Sequence, residues 1–283
     1  MKKKILIPTD FSQNAWEAIC YAIDLFKNEV CDFHILNTYE ASDPFFEVVP
    51  LNFSGKRPSE VAETKSMAGL KRISQRISFR DEAMDHNYYY VSQQNDLISA
   101  IKDFVEKKDI DLVVMGTKGK TDRVNVAFGS QTVHVMEKVR NCPILAIPPN
   151  TIFTEPSEIV FPTGFKTPFK RRELNCLIEI AKITNAPIRV LYVQKELELD
   201  EVQENYKALL EEYLEGLEYS IHTLENTGID VALQLFVQSR GSQMIAFINR
   251  KHTLFNTVFS QPLVKRIGVN SEVPVLAMHD LKN

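Results

Sequence analysis

Several features are scarce in this chain of 283 residues, and each scarcity removes a class of function. There is no basic excess: 33 Lys and Arg stand against 37 Asp and Glu, a net charge of −4. Without a basic footprint, no nucleic-acid partner is expected. No apolar run approaches the roughly 18 residues that a membrane helix needs, so no membrane partner is expected either. The basic start at Lys2-Lys3-Lys4 leads into an apolar run that Pro8 and Asp10 interrupt, too short for an export signal. A cytoplasmic location is the expectation. Only four cysteines occur, Cys20, Cys31, Cys142 and Cys176, and none form Cys-x-x-Cys. They read as buried free thiols of a reducing compartment rather than as a redox or metal set. The six histidines form no His-x-x-x-His pair, and no metal site is indicated.

What the chain does have is a repeat. Ile5-Leu6-Ile7-Pro8-Thr9-Asp10-Phe11 is matched by Ile159-Val160-Phe161-Pro162-Thr163-Gly164-Phe165, an offset of 154 between Pro8 and Pro162. Ala100–Val105 is matched by Ala232–Val237, and Leu112–Met115 by Met244–Phe247, both at an offset of 132. Cys142–Ile147 is matched by Val273–Met278 at 131. The second copy is therefore shorter in its middle, and the chain reads as a duplication. Domains are expected at 1–148 and 157–283. The linker, 149–156, is flanked by Pro148 and includes Pro149 and Pro156, which makes it short and stiff.

Each copy alternates strand with helix. Ile5–Thr9, His34–Thr38, Tyr88–Ser92, Leu112–Met115 and Pro143–Ile147 read as strands of the first copy. Helices are expected at Ala15–Asn28 with Ser12 as its cap, Ser59–Asp85, Asp96–Lys107 and Ser130–Val139. Ile159–Thr163, Arg189–Val193, Ser220–Leu224, Met244–Ile248 and Val273–Met278 are the strands of the second. Glu201–Glu218 reads there as a helix with a solvated, Glu-rich face. Alternation of this kind predicts an α/β fold, a doubly wound parallel sheet with helices on both faces.

One loop carries chemistry. After Leu112–Met115 comes Gly116-Thr117-Lys118-Gly119, then nine residues, then Gly129-Ser130 opening a helix. Gly116 and Gly119 lack a Cβ, which permits positive φ and close approach of a ligand to backbone. Gly129-Ser130 stands at a helix N-terminus, where unpaired N–H groups and the helix dipole favour an anion. Lys118, Lys120 and Arg123 add positive charge, and Asp10 is expected beside this loop, at the crevice of a doubly wound sheet. Taken singly, a glycine after a strand is an ordinary turn and a serine before a helix an ordinary cap. Their joint spacing favours a site. The pattern is not that of a Walker loop.

Gly-x2-Gly-x9-Gly-Ser, together with Ile5–Ser12 and Cys142–Ile147, resembles the ATP-binding universal stress proteins over nearly the whole chain in two copies. The resemblance implies five-stranded parallel sheets of order 3-2-1-4-5 that pair through their last strands, an intramolecular pseudo-dimer, with further homo-oligomerisation left open. It also implies ATP, with or without magnesium, as the ligand. Asp10 would contact the adenosine with Pro8 and Thr9 beside it, and Thr38 would offer backbone to the adenine. Gly116, Gly119, Gly129, Ser130 and Gln131 would hold the phosphates, with Met115 closing the strand ahead of them.

The second copy departs from the pattern. Asp10 becomes Gly164, Gly116 becomes Ile248, Gly119 becomes Lys251 and Gly129 becomes Ser260. It is expected to bind no ATP and to serve as partner to the first. Arg250-Lys251-His252 reads as a solvated loop. A nucleotide-binding stress or regulatory protein is the leading reading. The alternatives are a slow ATP hydrolase or nucleotidyl-transfer enzyme, for which only Asp10 and Asp122 offer carboxylates near the loop, and a structural module with an empty site.

Overall fold

Ile5, Leu6 and Ile7 are consecutive and all fully buried, because the strand they form is covered on both faces. That strand, β1 (Lys3–Pro8), opens the computed structural model, which describes residues 2–40, 57–80, 85–117, 129–194, 198–225, 227–250 and 272–279. The first half continues with α1 (Gln13–Leu25), β2 (Cys31–Tyr39), α2 (Pro58–Arg80), β3 (Asn87–Gln94), α3 (Leu97–Lys108), β4 (Leu112–Gly116), α4 (Ser130–Lys138) and β5 (Ile144–Ile147). The second half has β6 (Ile159–Thr163), α5 (Arg171–Thr184), β7 (Ile188–Gln194), α6 (Glu201–Tyr213), β8 (Tyr219–Glu225), α7 (Ile229–Arg240), β9 (Met244–Asn249) and β10 (Val275–His279).

The strands form one ten-stranded sheet in the order β3-β2-β1-β4-β5-β10-β9-β6-β7-β8. Each half therefore has the order 3-2-1-4-5 with parallel neighbours. The halves meet where β5 and β10 run antiparallel, with Leu145 opposite Leu276. The two expected sheets are thus continuous through their last strands. Side chains alternate across this sheet: Ile5 and Ile7 belong to the buried layer that includes residues of α1, α2 and α5, and Leu6 to the layer that includes residues of α3, α4 and α7.

Two helices stop well short of expectation. The helix expected to reach Glu218 stops at Tyr213, since Leu214 caps it and Gly216 takes a left-handed φ of +82°. The chain turns there and enters β8, leaving Glu215 and Glu218 outside the helix. The first helix ends at Leu25 with Phe26 as its cap, short of Asn28. Helix α2 is described as far as Arg80, and residues 81–84 of the expected Ser59–Asp85 helix lie outside the described residues. At the other end of α1, Ser12 accepts from the Ala15 N–H at 3.1 Å, as its cap position predicts.

Ahead of β6, Glu158 is buried and collects donors from β7, from α7 and from the turn between α7 and β9. It accepts from Arg189 Nε at 3.0 Å, Arg240 Nε at 2.8 Å and Ser242 Oγ at 2.5 Å. Burial alone would raise its carboxyl, but these hydrogen bonds and the Arg240 charge hold it down at about 2.

All four cysteines are free thiols, with Cys31, Cys142 and Cys176 buried and Cys20 partly so.

Candidate functional site

Strands β1 and β4 are neighbours, with Ile5 opposite Leu112 and Leu6 opposite Val113. From β1 the sheet order runs outward in opposite directions, which places a crevice at the carboxyl ends of this pair. Every described residue of the candidate set lies on the strands and turns at this edge or on the helix that follows it.

Pro8 ends β1 opposite Leu36, and the buried Thr9 extends the ladder by donating its N–H to Leu36 O at 2.8 Å. Its carbonyl accepts from the buried Asn37 amide at 2.6 Å. Its hydroxyl accepts from Phe11 N–H at 3.1 Å, and Phe11 takes a left-handed φ of +62°. The Phe11 ring lies against Gly69, where any Cβ would overlap it. This turn presents Asp10 at the exposed edge, its Oδ1 accepting from Ser12 N–H at 2.9 Å. Thr38 lies near the end of β2, two residues beyond Leu36 and opposite Gln93.

On the other side of the crevice, Met115 is buried opposite Ala146 and Gly116 pairs with Ile147. Thr117 is fully buried and donates its N–H to Ile147 O at 3.0 Å. Gly129 N–H donates to Thr117 O at 2.6 Å, and Thr132 Oγ1 donates to Gly116 O at 3.0 Å. These bonds strap the first turn of α4 to the end of β4. Gly129 is the N-cap and has no side chain to cap the helix. Among the described residues no side chain caps the first N–H groups of α4, at the exposed Ser130 and Gln131, and a helix N-terminus of this kind favours an anion.

The structure assigns Gly116 a reason that the sequence reading missed. It does not adopt positive φ. A Cβ there would come within 2.8 Å of Asn14 Oδ1 and 2.9 Å of the Asn14 backbone carbon. Its close neighbour is therefore α1, where Asn14 donates to Ile147 O at 3.1 Å. Gly119, Lys118, Lys120, Asp122 and Arg123 lie outside the described residues. Gly119-Lys120-Thr121 is a Gly-Lys-Thr triplet, but Val114 stands where a Walker loop needs its first glycine.

The second half keeps the turn and loses the chemistry. Phe165 takes φ +52° and its N–H donates to Thr163 Oγ1 at 3.2 Å, as Phe11 does with Thr9. Gly164 occupies the Asp10 position, and a Cβ there would meet nothing closer than Lys166 Cγ at 3.7 Å. The carboxylate is absent without any steric demand for glycine. Arg250 is not a solvated loop residue: it donates to Pro168 O at 2.9 Å and faces Glu173 Oε2 at 3.4 Å. Lys251, His252 and Ser260 lie outside the described residues.

Asn14, Asn37 and Thr132 position this edge and went unnoticed in sequence. Asn14 could have been found by noting a polar residue on the buried face of a helix.

A family model described as the universal stress protein family matches residues 1–148. Universal stress protein MJ0531 of Methanocaldococcus jannaschii is 28% identical over 145 residues, covering 51% of this chain and 81% of that protein. Universal stress protein MJ0577 of the same organism is 28% identical over 164 residues, covering 52% of this chain and 95% of that protein. The crystal structure of a universal stress protein from Archaeoglobus fulgidus superposes with a TM-score of 0.69 at 16% identity, covering 97% of this chain and 95% of that one. A functionally unknown protein from Pseudomonas aeruginosa superposes with a TM-score of 0.62 at 13% identity, covering 98% and 92%. These last two are likenesses of fold, and they extend over both halves.

Proposed function

The chain belongs to the universal stress protein family, and from that premise we propose that it is a stress-response regulatory protein binding ATP in its first half. The observation that carries this reading is the first turn of α4. It has no side-chain cap, is strapped to β4 and lies across the β1–β4 crevice from the turn that presents Asp10. Backbone N–H groups at Ser130 and Gln131 would meet the phosphates, with the helix dipole favouring their charge. Asp10 would accept from the nucleoside, and Thr38 would offer its backbone to the base.

Among the described residues no group of three or more His, Cys, Asp or Glu could hold a metal ion. The described site offers one nearby carboxylate, Asp10, already bonded to the Ser12 N–H. In this reading, occupancy of the site is what the protein signals. The second half, domain 157–283 after linker 149–156, serves in this reading as the built-in partner of domain 1–148, joined through β5 and β10.

Asp10→Ala tests the assignment. Removing an acceptor leaves the nucleoside donors unpaired, which costs about 1–3 kcal/mol, or roughly fivefold to 150-fold in affinity. Calorimetric titration of the variant with ATP measures it, with thermal unfolding as the control for the Ser12 turn. Unchanged affinity would place the nucleotide elsewhere.

A further inference from the structure

One face of the sheet carries helices whose charges alternate in sign. Residues of α1, α2, α5 and α6 share one buried layer, so these helices cover the same face. Helix α2 packs on β2 and β3, α1 on β4 and β5, and α5 on β10, with α6 repeating α2 in the second half. Across the face the order is therefore α2, α1, α5, α6. From Lys65 to its end, α2 holds Lys65, Lys71, Arg72, Arg76 and Arg80 and no carboxylate. The charges within α1 are Glu17 and Asp24. On α5, Arg171, Arg172 and Lys182 are exposed, while Glu173 is buried and Glu179 pairs with Lys3. Glu201, Glu204, Glu211 and Glu212 dominate α6 against one cation, Lys207. Each helix is opposite in sign to its neighbour on the face and to its counterpart in the repeat.

Part of this charge is answered within the chain. The Arg76 guanidinium lies 3.8 Å over the Trp16 ring, Arg80 pairs with Asp24, and Lys207 pairs with Glu204 at 3.4 Å. Lys71 and Arg72 of α2, and Glu201 and Glu212 of α6, are exposed and hold no salt bridge among the described residues. The same helices and the linker expose large apolar side chains: Phe79 (84%) and Met67 on α2, Val202 on α6, and Ile152 (83%). The linker is held on α1, since Asn150 N–H donates to Glu17 at 2.9 Å and Phe153 packs edge-on against Tyr21 at 5.1 Å. Ile152 consequently stands near the middle of the face, beside the β5–β10 seam. Exposed apolar groups set among charges of both signs fit a protein partner.

We propose that this face docks a second copy of the chain as a two-fold dimer. A two-fold axis lying in the interface, parallel to the strands, reverses the order of the helices. Helix α2 then meets α6 of the second copy and α1 meets α5, so every facing pair is opposite in sign. Ile152 lies close to that axis. A two-fold axis running across the strands would instead set α2 on α2 and α6 on α6, where like charges repel. The charge pattern selects one closed, self-complementary arrangement. The nucleotide reading does not enter, because α4, with its N-terminal turn, packs in the layer on the opposite face.

The test is sedimentation velocity of the full chain over a concentration series. A reversible dimer is expected, weakened by added salt because the facing charges are exposed. Lys71→Glu with Arg72→Glu reverses the unpaired cations of α2, and Glu204→Lys with Glu212→Lys reverses the matching face of α6. Each double variant alone is expected to dimerise about tenfold more weakly or worse. Mixed in equal amounts, the two are expected to form a heterodimer of about the original affinity, since every α2–α6 contact between them is again opposite in sign. Circular dichroism checks that both variants are folded. An unmodified chain that stays monomeric overturns the proposal, as does a dimer indifferent to the reversals or a folded mixture without rescue. Assembly growing beyond a dimer overturns the two-fold arrangement, and a monomer that co-sediments with phosphatidylserine vesicles overturns it in favour of a lipid surface.

Discussion

Glu158→Ala is expected to destabilise the protein by about 3–5 kcal/mol, the range for breaking a buried ion pair by removing one partner. Arg189 and Arg240 would face each other without the carboxylate that both bond, and Ser242 Oγ would lose its acceptor. These groups tie the start of β6 to β7, α7 and the turn that follows α7, so the loss falls on the second half. The same carboxylate predicts an acid response. Its folded pKa is about 2 against an ordinary 4.5, so its contribution is fully present above about pH 4.5 and is lost as pH falls toward 2. The depression corresponds to about 3 kcal/mol. Chemical denaturation from pH 6 to pH 2.5 should show stability falling across that window, and Glu158→Gln should flatten the fall. An equally steep fall in the variant would assign the acid response to other carboxylates.

Gly116→Val is expected to cost about 3 kcal/mol or more, at the upper end for overpacking. The first added carbon alone would stand 2.9 Å from the Asn14 backbone, and β-branching adds two more. Relief requires α1 to move off β4. Because Gly116 O anchors Thr132 of α4, the displacement should also loosen the turn proposed to hold phosphate. Asn14→Gly on the same background should restore only part of the stability, since the backbone carbon remains in the way. Urea denaturation of the single and double variants measures both effects. Full rescue would mean that the crowding involves the side chain only.

The strands of this fold were legible because most of them are buried on both faces. Ile5–Ile7, Leu112–Val114 and Ile144–Ile147 are unbroken apolar runs for that reason. The repeat then showed two like halves, and their strand order came from the family resemblance. Helix ends were less legible, because Gly216 stops a helix through a backbone angle that competes with the helix-favouring residues around it. At the site, the Pro-Thr-x-Phe likeness was visible, but its cause was not. Thr9 and Thr163 each bond the N–H of a phenylalanine in left-handed conformation, and nothing in a sequence signals positive φ at Phe. Gly116 also has to lie against Asn14 of α1, a contact that the sequence does not display. Glu158 was invisible because its partners stand 31 to 84 residues away along the chain.

Calorimetric titration of the intact chain with ATP bears most directly on the central claim, that the first half binds nucleotide and the second does not. The account predicts saturation at one equivalent per chain, with that event weakened by Asp10→Ala. The second half should contribute nothing, because Gly164 lacks the carboxylate and Arg250 already pairs with Glu173. Two equivalents in the unmodified protein would restore the second half as a working site, and no saturable binding would remove the first.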